Sequence, residues 1–288
     1  MPTSARAWQL ATCVFALIAL GLGGALFLGS RTTGTSNRPS APLSDLVIRP
    51  GQLTLVVLTD SSLVLLHEIT GRMMSVTEYE SRRYPETFRS GTPTPELQNF
   101  ARHLTTRRLM SLPDLNLAMG LIRRRPDAAE RIQVVHARDI GPRNLKDNNV
   151  VLLGGARSNP WAGLFEERLN FQFEFSDGGT PARIVNRKPQ PGELAAYEPD
   201  PGKERAFARI ALVPNLNHTG RVLLLSGTTI EATEGAAEFF LNDRAWETLS
   251  ATLGRNPGAG RGFEVLLKTN SIGGTARSGQ IIAHRALP

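Results

Sequence analysis

Short runs of consecutive apolar residues recur along the chain from Gln52 onward. Five of these runs have the length and β-branched content of buried strands. They span residues 53–58, 132–136, 150–153, 221–225 and 263–268. Because continuous apolar runs occur where both faces of a sheet are covered, the pattern predicts parallel strands.

Segments of helical periodicity separate most of these runs. Residues 96–104 and 115–124 carry apolar side chains three and four positions apart, and residues 230–253 carry a similar apolar face. The order strand, helix, strand is that of a βαβ unit. The sequence therefore predicts an α/β domain over residues 52–288, with a Rossmann-like, largely parallel sheet.

One part of this domain departs from the alternation of strands and helices. Residues 169–175, 182–186 and 207–213 alternate apolar and polar side chains, and an Asp-Gly-Gly turn separates the first two segments. Period-two alternation around a short glycine turn is typical of a hairpin. We therefore expect an antiparallel insertion over about residues 169–215.

The N-terminal region has a different composition. After a short tail, residues 1–7, the chain has no charged residue over residues 8–29. A helix of this length crosses a hydrocarbon layer of about 30 Å, so the run predicts one transmembrane helix. The alternative is a cleaved signal peptide, because Arg6 precedes the run and small residues interrupt it. Residues 30–51, rich in Ser, Thr and Pro, predict a flexible linker.

These N-terminal features predict a single-pass protein of the cell membrane, with the membrane as a partner. Arg6 flanks the apolar run on one side, and Arg31 and Arg38 flank it on the other. The count of positive charges therefore does not decide the orientation. We expect the α/β domain to lie on the extracytoplasmic side of the membrane.

Composition narrows the classes of function. The formal net charge is +7, and four of the 33 basic residues are lysines. No aromatic residues interleave with the arginine clusters, so no strong nucleic-acid signal is present. One cysteine, inside the apolar run, excludes an intrachain disulfide and a zinc cluster, and five scattered histidines predict no metal site.

The residues that follow the predicted strands are polar, and ligands of open α/β sheets bind at the carboxyl ends of the strands. In the turn after the third strand, Gly154 and Gly155 permit positive φ and close backbone approach, and Asn159 followed by Pro160 suits a helix start. Amides at that helix start, beside Arg157, favour an anionic group. The predicted ligand-binding residues are Asp60, Ser61, Gly154, Gly155, Arg157, Ser158, Asn159, Gly227 and Thr228.

Motifs of well-known chemistries are missing from the sequence. No GxxxxGK[ST] loop and no GxSxG elbow occurs, which disfavours phosphate-loop nucleotide hydrolysis and α/β-hydrolase chemistry. Thr228 and Glu231 have the spacing of a capping box. No cofactor is expected.

Three hypotheses of function remain open. The first is a ligand-binding or sensory module for a small anionic ligand, nucleotide-like compounds included. The second is an enzyme of unknown reaction in the same crevice, with Asp60, His136 or Glu231 as acid or base. The third is a scaffold whose antiparallel insertion contacts an unknown protein partner.

Three stretches of the chain, residues 150–175, 208–240 and 263–285, resemble an uncharacterised family of bacterial membrane-anchored α/β proteins. Some relatives in that family carry a winged-helix DNA-binding module ahead of the anchor, which implies signalling across a membrane. Seven residues precede the apolar run here, so we expect no such module. The resemblance implies a fold and an anchor, and it brings no catalytic residues.

Overall fold

A seven-stranded sheet lies at the centre of the computed structural model, which describes residues 42–83, 86, 94–176, 182–200, 205–253, 262–272 and 275–287. Its strands are β1 (Thr54–Leu58), β2 (Ile132–His136), β3 (Asn149–Leu153), β7 (Arg205–Pro214), β8 (Arg221–Gly227), β9 (Gly262–Ile272) and β10 (Thr275–Leu287). A second sheet contains β4 (Phe171–Phe175), β5 (Ala182–Asn186) and β6 (Ala196–Tyr197). The order of strands in the large sheet is β10-β9-β7-β8-β3-β1-β2.

The large sheet has a parallel half and an antiparallel half. Strands β2, β1, β3 and β8 are parallel neighbours, whereas β7, β9 and β10 pair in antiparallel fashion. Parallel pairing needs a long crossover connection. Only residues 215–220 separate β7 from β8, and only residues 273–274 separate β9 from β10. These links are too short for a crossover, so the strands they join run in opposite directions.

The predicted fold class is therefore corrected. The structure is α/β with a Rossmann-like mixed sheet, not a largely parallel one. The predicted strand at residues 263–268 lies within β9, antiparallel to both of its neighbours.

The predicted transmembrane helix is also corrected, and with it the single-pass location in the cell membrane and the extracytoplasmic domain. No helix of the described residues is long and apolar enough to cross a membrane. The longest of them, Leu112–Arg124, has 13 residues and reaches about 20 Å, short of the hydrocarbon layer of about 30 Å. Residues 8–29, on which the prediction rested, lie outside the described residues.

Helices cover both faces of the large sheet, because successive residues of each buried strand point to opposite sides. Val56 and Leu58 of β1 contribute to one core, and Leu55 and Val57 contribute to the other. The first core is closed by α1 (Pro42–Val47), α5 (Leu112–Arg124), α7 (Ile230–Leu241) and α8 (Asp243–Leu253). The second is closed by α2 (Ser61–Thr70), α3 (Val76–Ser81), α4 (Pro95–Thr106), α6 (Pro142–Asp147) and the 3-10 helix Pro160–Arg168.

Two further 3-10 helices, Pro126–Arg131 and Ala137–Asp139, flank β2.

Helix α1 falls in the segment for which the sequence predicted a flexible linker. Its Val47, and Ile48 that follows, are buried in the first core.

The three-stranded sheet packs on the antiparallel half of the large sheet. Phe171 and Ile184 of the small sheet share a buried cluster with Phe207 and Leu266 of the large one. Packing of these side chains fixes the position of the small sheet and brings Phe175, at the end of β4, to the carboxyl ends of the parallel strands.

Buried charges also hold the two sheets together. Arg209 of β7 is fully buried and donates to both carboxyl oxygens of Glu166, at 2.8 and 2.6 Å, and to the carbonyl of Phe171 at 2.6 Å. Glu264 of β9, also fully buried, accepts from the backbone N–H groups of Asn170, at 2.7 Å, and Phe171, at 3.1 Å. Burial raises the pKa of Glu264.

Candidate functional site

A crevice of about 320 Å³ lies at the carboxyl ends of β1, β3 and β8, where an open α/β sheet binds ligands. Its walls come from the loops after these strands, from α2, α5 and α7, and from the small sheet. Most of the lining is apolar, and the larger apolar side chains are Val64, Leu65, Leu117, Leu153, Phe175 and Ile230.

The structure brings most of the predicted ligand-binding residues to this crevice. Seven of them line it: Ser61, Gly154, Gly155, Arg157, Ser158, Gly227 and Thr228. The other two, Asp60 and Asn159, are fully buried and are not part of the lining.

Asp60 forms a buried ion pair. The Arg138 guanidinium donates from Nε to Asp60 Oδ2 at 2.5 Å and from Nη2 to Oδ1 at 2.9 Å. Asp60 also caps α2 by accepting from the N–H of Leu63 at 3.2 Å, and it accepts from the Tyr79 hydroxyl at 3.2 Å. Since both oxygens are engaged by protein donors, Asp60 connects the end of β1 with α2, α3 and the 3-10 helix Ala137–Asp139.

The two glycines after β3 differ in their backbone requirements. Gly154 has a φ of +80°, and a Cβ there would lie 2.2 Å from Ser158 Oγ and 2.7 Å from Thr59 Cγ2. Gly155 does not have a positive φ, and a Cβ there would only contact Phe175 Cζ at 3.6 Å. Both glycines permit a positive φ, and of the two only Gly154 adopts one.

Gly227, after β8, is required for a different reason. A Cβ at this position would lie 2.3 Å from the backbone nitrogen of Thr233. The absence of a side chain at Gly227 therefore lets the first turn of α7 approach the end of β8 and close that side of the crevice.

The predicted helix start after Gly155 has a different form. The chain enters a 3-10 helix, and Asn159 provides no side-chain cap: its Oδ1 accepts no hydrogen bond from the described residues, and its Nδ2 donates to the carbonyl of Leu153 at 3.0 Å. The N–H groups of Ser158 and Asn159 donate to the carbonyl of Gly155, at 3.0 and 2.8 Å. Because both N–H groups donate to a carbonyl within the turn, they are not available to bind an anion there.

Arg157 and Thr228 also have partners within the protein. Arg157 forms an ion pair with Glu68 of α2, and the two side chains are 19% and 49% exposed. Thr228 pairs with Phe207 through two hydrogen bonds. The residue that caps α7 is Thr229, which accepts from the N–H of Ala232 at 3.1 Å, so the cap lies one position beyond the predicted one.

The three residues proposed as acid or base, Asp60, His136 and Glu231, are not brought together in the crevice, and none of them lines it. His136 Nδ1 accepts from the N–H of Arg138 at 3.2 Å, and its Nε2 lies 3.3 Å from the carbonyl of Leu109. Glu231 belongs to the first turn of α7.

Sequence reasoning missed the buried acid of the crevice. Asp114, in the first turn of α5, is 4% exposed, and its Oδ2 accepts from the N–H of Thr59 at 2.8 Å and from the Thr59 hydroxyl at 2.6 Å. Burial raises the pKa of Asp114, and the two hydrogen bonds from Thr59 oppose that shift. The sequence contains a signal for this residue: Asp114 lies on the same helical face as the apolar residues Leu117 and Leu121, and an acid on an apolar face is expected to be buried.

Other cavities of the described residues lie away from the carboxyl ends of β1, β3 and β8, among them two with polar groups in their lining. One, of about 740 Å³, lies beside α8 and β10 and has Arg244, Thr248 and Gln280 in its lining. The other, of about 360 Å³, has Tyr79 and Arg138 in its lining. The strand-end crevice combines the position expected for a ligand site with a mainly apolar lining and a buried acid.

Comparisons of the chain with protein-family models, with curated proteins and with solved structures found no match. The resemblance to a family of membrane-anchored α/β proteins therefore stays a prediction. Function has to be argued from the geometry of the site, because a fold alone does not specify one.

Proposed function

We propose that this chain is a small-molecule binding module whose ligand occupies the strand-end crevice with a mainly apolar body. The observation that carries the proposal is the mainly apolar lining of a crevice of about 320 Å³ at this position in the sheet. Ligand sites typically have volumes of about 300–1,000 Å³ and combine apolar walls with a few polar groups.

Exposed apolar side chains in the crevice provide a driving force for binding. Leu65 on α2 is 36% exposed and Ile230 at the start of α7 is 66% exposed, and both line the crevice. A ligand that covers them removes apolar surface from water, which stabilises a complex by about 25 cal/mol per Å². The hydroxyls of Thr59, Ser61 and Ser158 line the same crevice and supply polar contacts.

The anionic ligand expected from the sequence is the competing candidate, because Arg157 lines the crevice. Its charge is balanced by Glu68, and the amides of Ser158 and Asn159 are engaged within their turn. Asp114 and Glu234 add further acidic groups to the lining. These observations favour a ligand without net negative charge.

The test is a titration of the full chain with N-phenyl-1-naphthylamine, a neutral apolar fluorophore that brightens in apolar surroundings. We expect saturable binding that Ile230→Ser weakens about fivefold, since an exposed apolar contact is worth about 1 kcal/mol. Leu194→Ser is the matched control, because Leu194 is 60% exposed and does not line the crevice. Equal affinities in the wild type and both variants would contradict the proposal.

A further inference from the structure

The charged groups of the strand-end crevice are unbalanced. Its lining contains three carboxyl groups, on Glu68, Asp114 and Glu234, and one basic group, on Arg157. Arg157 is paired with Glu68. Among the residues that the structure describes, neither Asp114 nor Glu234 forms an ion pair. Two carboxyl groups of the crevice lining are therefore not balanced by a basic side chain.

Asp114 is the more deeply placed of these two acids. Its side chain is almost fully buried, at 4% exposure, and both of its hydrogen bonds, from Thr59, end on Oδ2. Within the described part of the chain, no donor contacts Oδ1. Oδ1 is therefore available to accept from a cationic ligand, and a positive charge there offsets the cost of burying the carboxylate.

We propose that the ligand of this crevice is an organic amine whose ammonium group binds Asp114 while its carbon body covers the apolar wall. The inference rests on the proposed function, because it assigns a head group to the ligand of the same site. In the complex, the ammonium donates to Asp114 Oδ1, and Glu234 on α7 adds a second negative charge to the lining of the same crevice. Charge-assisted hydrogen bonds of this kind are stronger than neutral ones.

The pH dependence of binding follows from the same geometry. Burial raises the pKa of Asp114, and an ammonium beside it favours the ionised form. An alkylammonium keeps its proton across the acid range, so acidification protonates Asp114 and weakens binding. His136 on β2 acts electrostatically on Asp114, and the charged groups that share the crevice lining with Asp114 are Glu68 on α2, Arg157 after β3 and Glu234 on α7.

The test is isothermal titration calorimetry of the full chain with three ligands of equal chain length, octylammonium, octanol and octanoate. Near neutral pH we expect octylammonium to bind at least about tenfold more tightly than octanol, because a charge-assisted hydrogen bond is added. Its affinity falls as the pH is lowered, whereas the affinity for octanol stays constant. The pH series uses the wild-type chain and does not depend on the folding of any variant.

Variants assign the effect to its residues. Asp114→Asn keeps an oxygen that can accept from Thr59 and should bring octylammonium and octanol to similar affinities. Glu234→Gln, at a partly exposed position, should reduce the octylammonium preference by a smaller factor. Asp139→Asn is the control, because Asp139 is exposed, pairs with Arg108 and does not line the crevice.

The possible outcomes separate this inference from the proposed function. Equal affinities of the wild type for octylammonium and octanol overturn the amine and leave the apolar binding site standing. The tightest binding by octanoate overturns it in favour of an anion at Arg157. Binding of none of the three ligands overturns both proposals. An octylammonium preference that Asp114→Asn leaves intact, in a variant that still binds octanol, removes Asp114 from the site.

Discussion

Gly154 holds the turn after β3 in the left-handed region, with a φ of +80° and no room for a Cβ beside Ser158 and Thr59. Gly154→Ala is therefore expected to lower the free energy of unfolding by about 2 kcal/mol, through backbone strain and displaced neighbours. Gly155→Ala should change it by less than about 0.5 kcal/mol, because a Cβ fits there. Urea unfolding of both variants checks the contrast, and equal effects would refute this account of the turn.

His67 on α2 predicts a pH dependence of stability. The side chain is fully buried and its Nε2 accepts from the N–H of Met74 at 3.1 Å. Burial, together with the positive charges of Arg157 and Arg72, lowers the pKa of His67 from 6.5 to about 4. Between these values the unfolded chain binds a proton that the folded chain does not. The stability contributed by neutral His67 is therefore complete above pH 6.5 and is lost as the pH falls toward 4.

The loss amounts to on the order of 3 kcal/mol over that interval. His67→Gln should flatten the dependence in this window, whereas His103→Gln, at an exposed position of α4, should leave it as in the wild type. Urea unfolding at several pH values measures the effect. A His67→Gln chain with the wild-type slope would show that another group controls the acid response.

At the level of residues, sequence reasoning identified a region better than it identified roles. Polar residues after β1, β3 and β8 converge because the ends of parallel strands meet at one edge of the sheet. Whether such a residue faces the crevice or the protein depends on distant partners. Asp60 forms an ion pair with Arg138 and does not line the crevice. Asp114 lines the crevice, although it comes from the start of α5, far from β1 in the sequence.

The small sheet, β4 to β6, depends on a buried contact to β7. Arg209 joins Glu166 and the carbonyl of Phe171 from a fully buried position. Arg209→Met should lower the free energy of unfolding by about 3 kcal/mol, because it leaves the Glu166 carboxylate without its cation. Amide exchange in β4 and β5 should rise at the same time.

The control for this prediction is Arg183→Met on β5. Arg183 pairs with Glu174 on the surface of the small sheet, where the two side chains are 49% and 46% exposed. That variant should leave amide exchange and stability unchanged, since surface ion pairs contribute little. Similar effects from the two arginine variants would mean that Arg209 does not hold the sheets together.

The strands themselves were predictable, and so were the directions of most of them, but the direction of β9 was not. The run at residues 263–268 looks parallel because both faces of β9 are covered: Val265 and Leu267 pack in the first core, and Leu266 packs in the cluster with the small sheet. A continuous apolar run indicates that both faces of a strand are covered, but it does not indicate whether the strand runs parallel or antiparallel to its neighbours. The short link between β7 and β8 was the available signal for antiparallel pairing.

At the scale of the whole molecule, the crevice exists because three separate parts of the chain meet. The parallel strands supply the floor, α2 and α7 supply Leu65 and Ile230, and the docked small sheet adds Phe175. The last contribution depends on tertiary packing between segments far apart in sequence. No local pattern could therefore have predicted that the crevice is mainly apolar.

The central claim is that the crevice binds a ligand through its apolar wall. The most direct measurement is a set of intermolecular nuclear Overhauser effects between octanol and the methyl groups of the methyl-labelled full chain. The account predicts contacts from the octyl chain to Val64, Leu65 and Ile230, and none to Leu194. Contacts confined to apolar groups outside the crevice, such as the exposed Leu112, Leu115 and Met119 of α5, would contradict it.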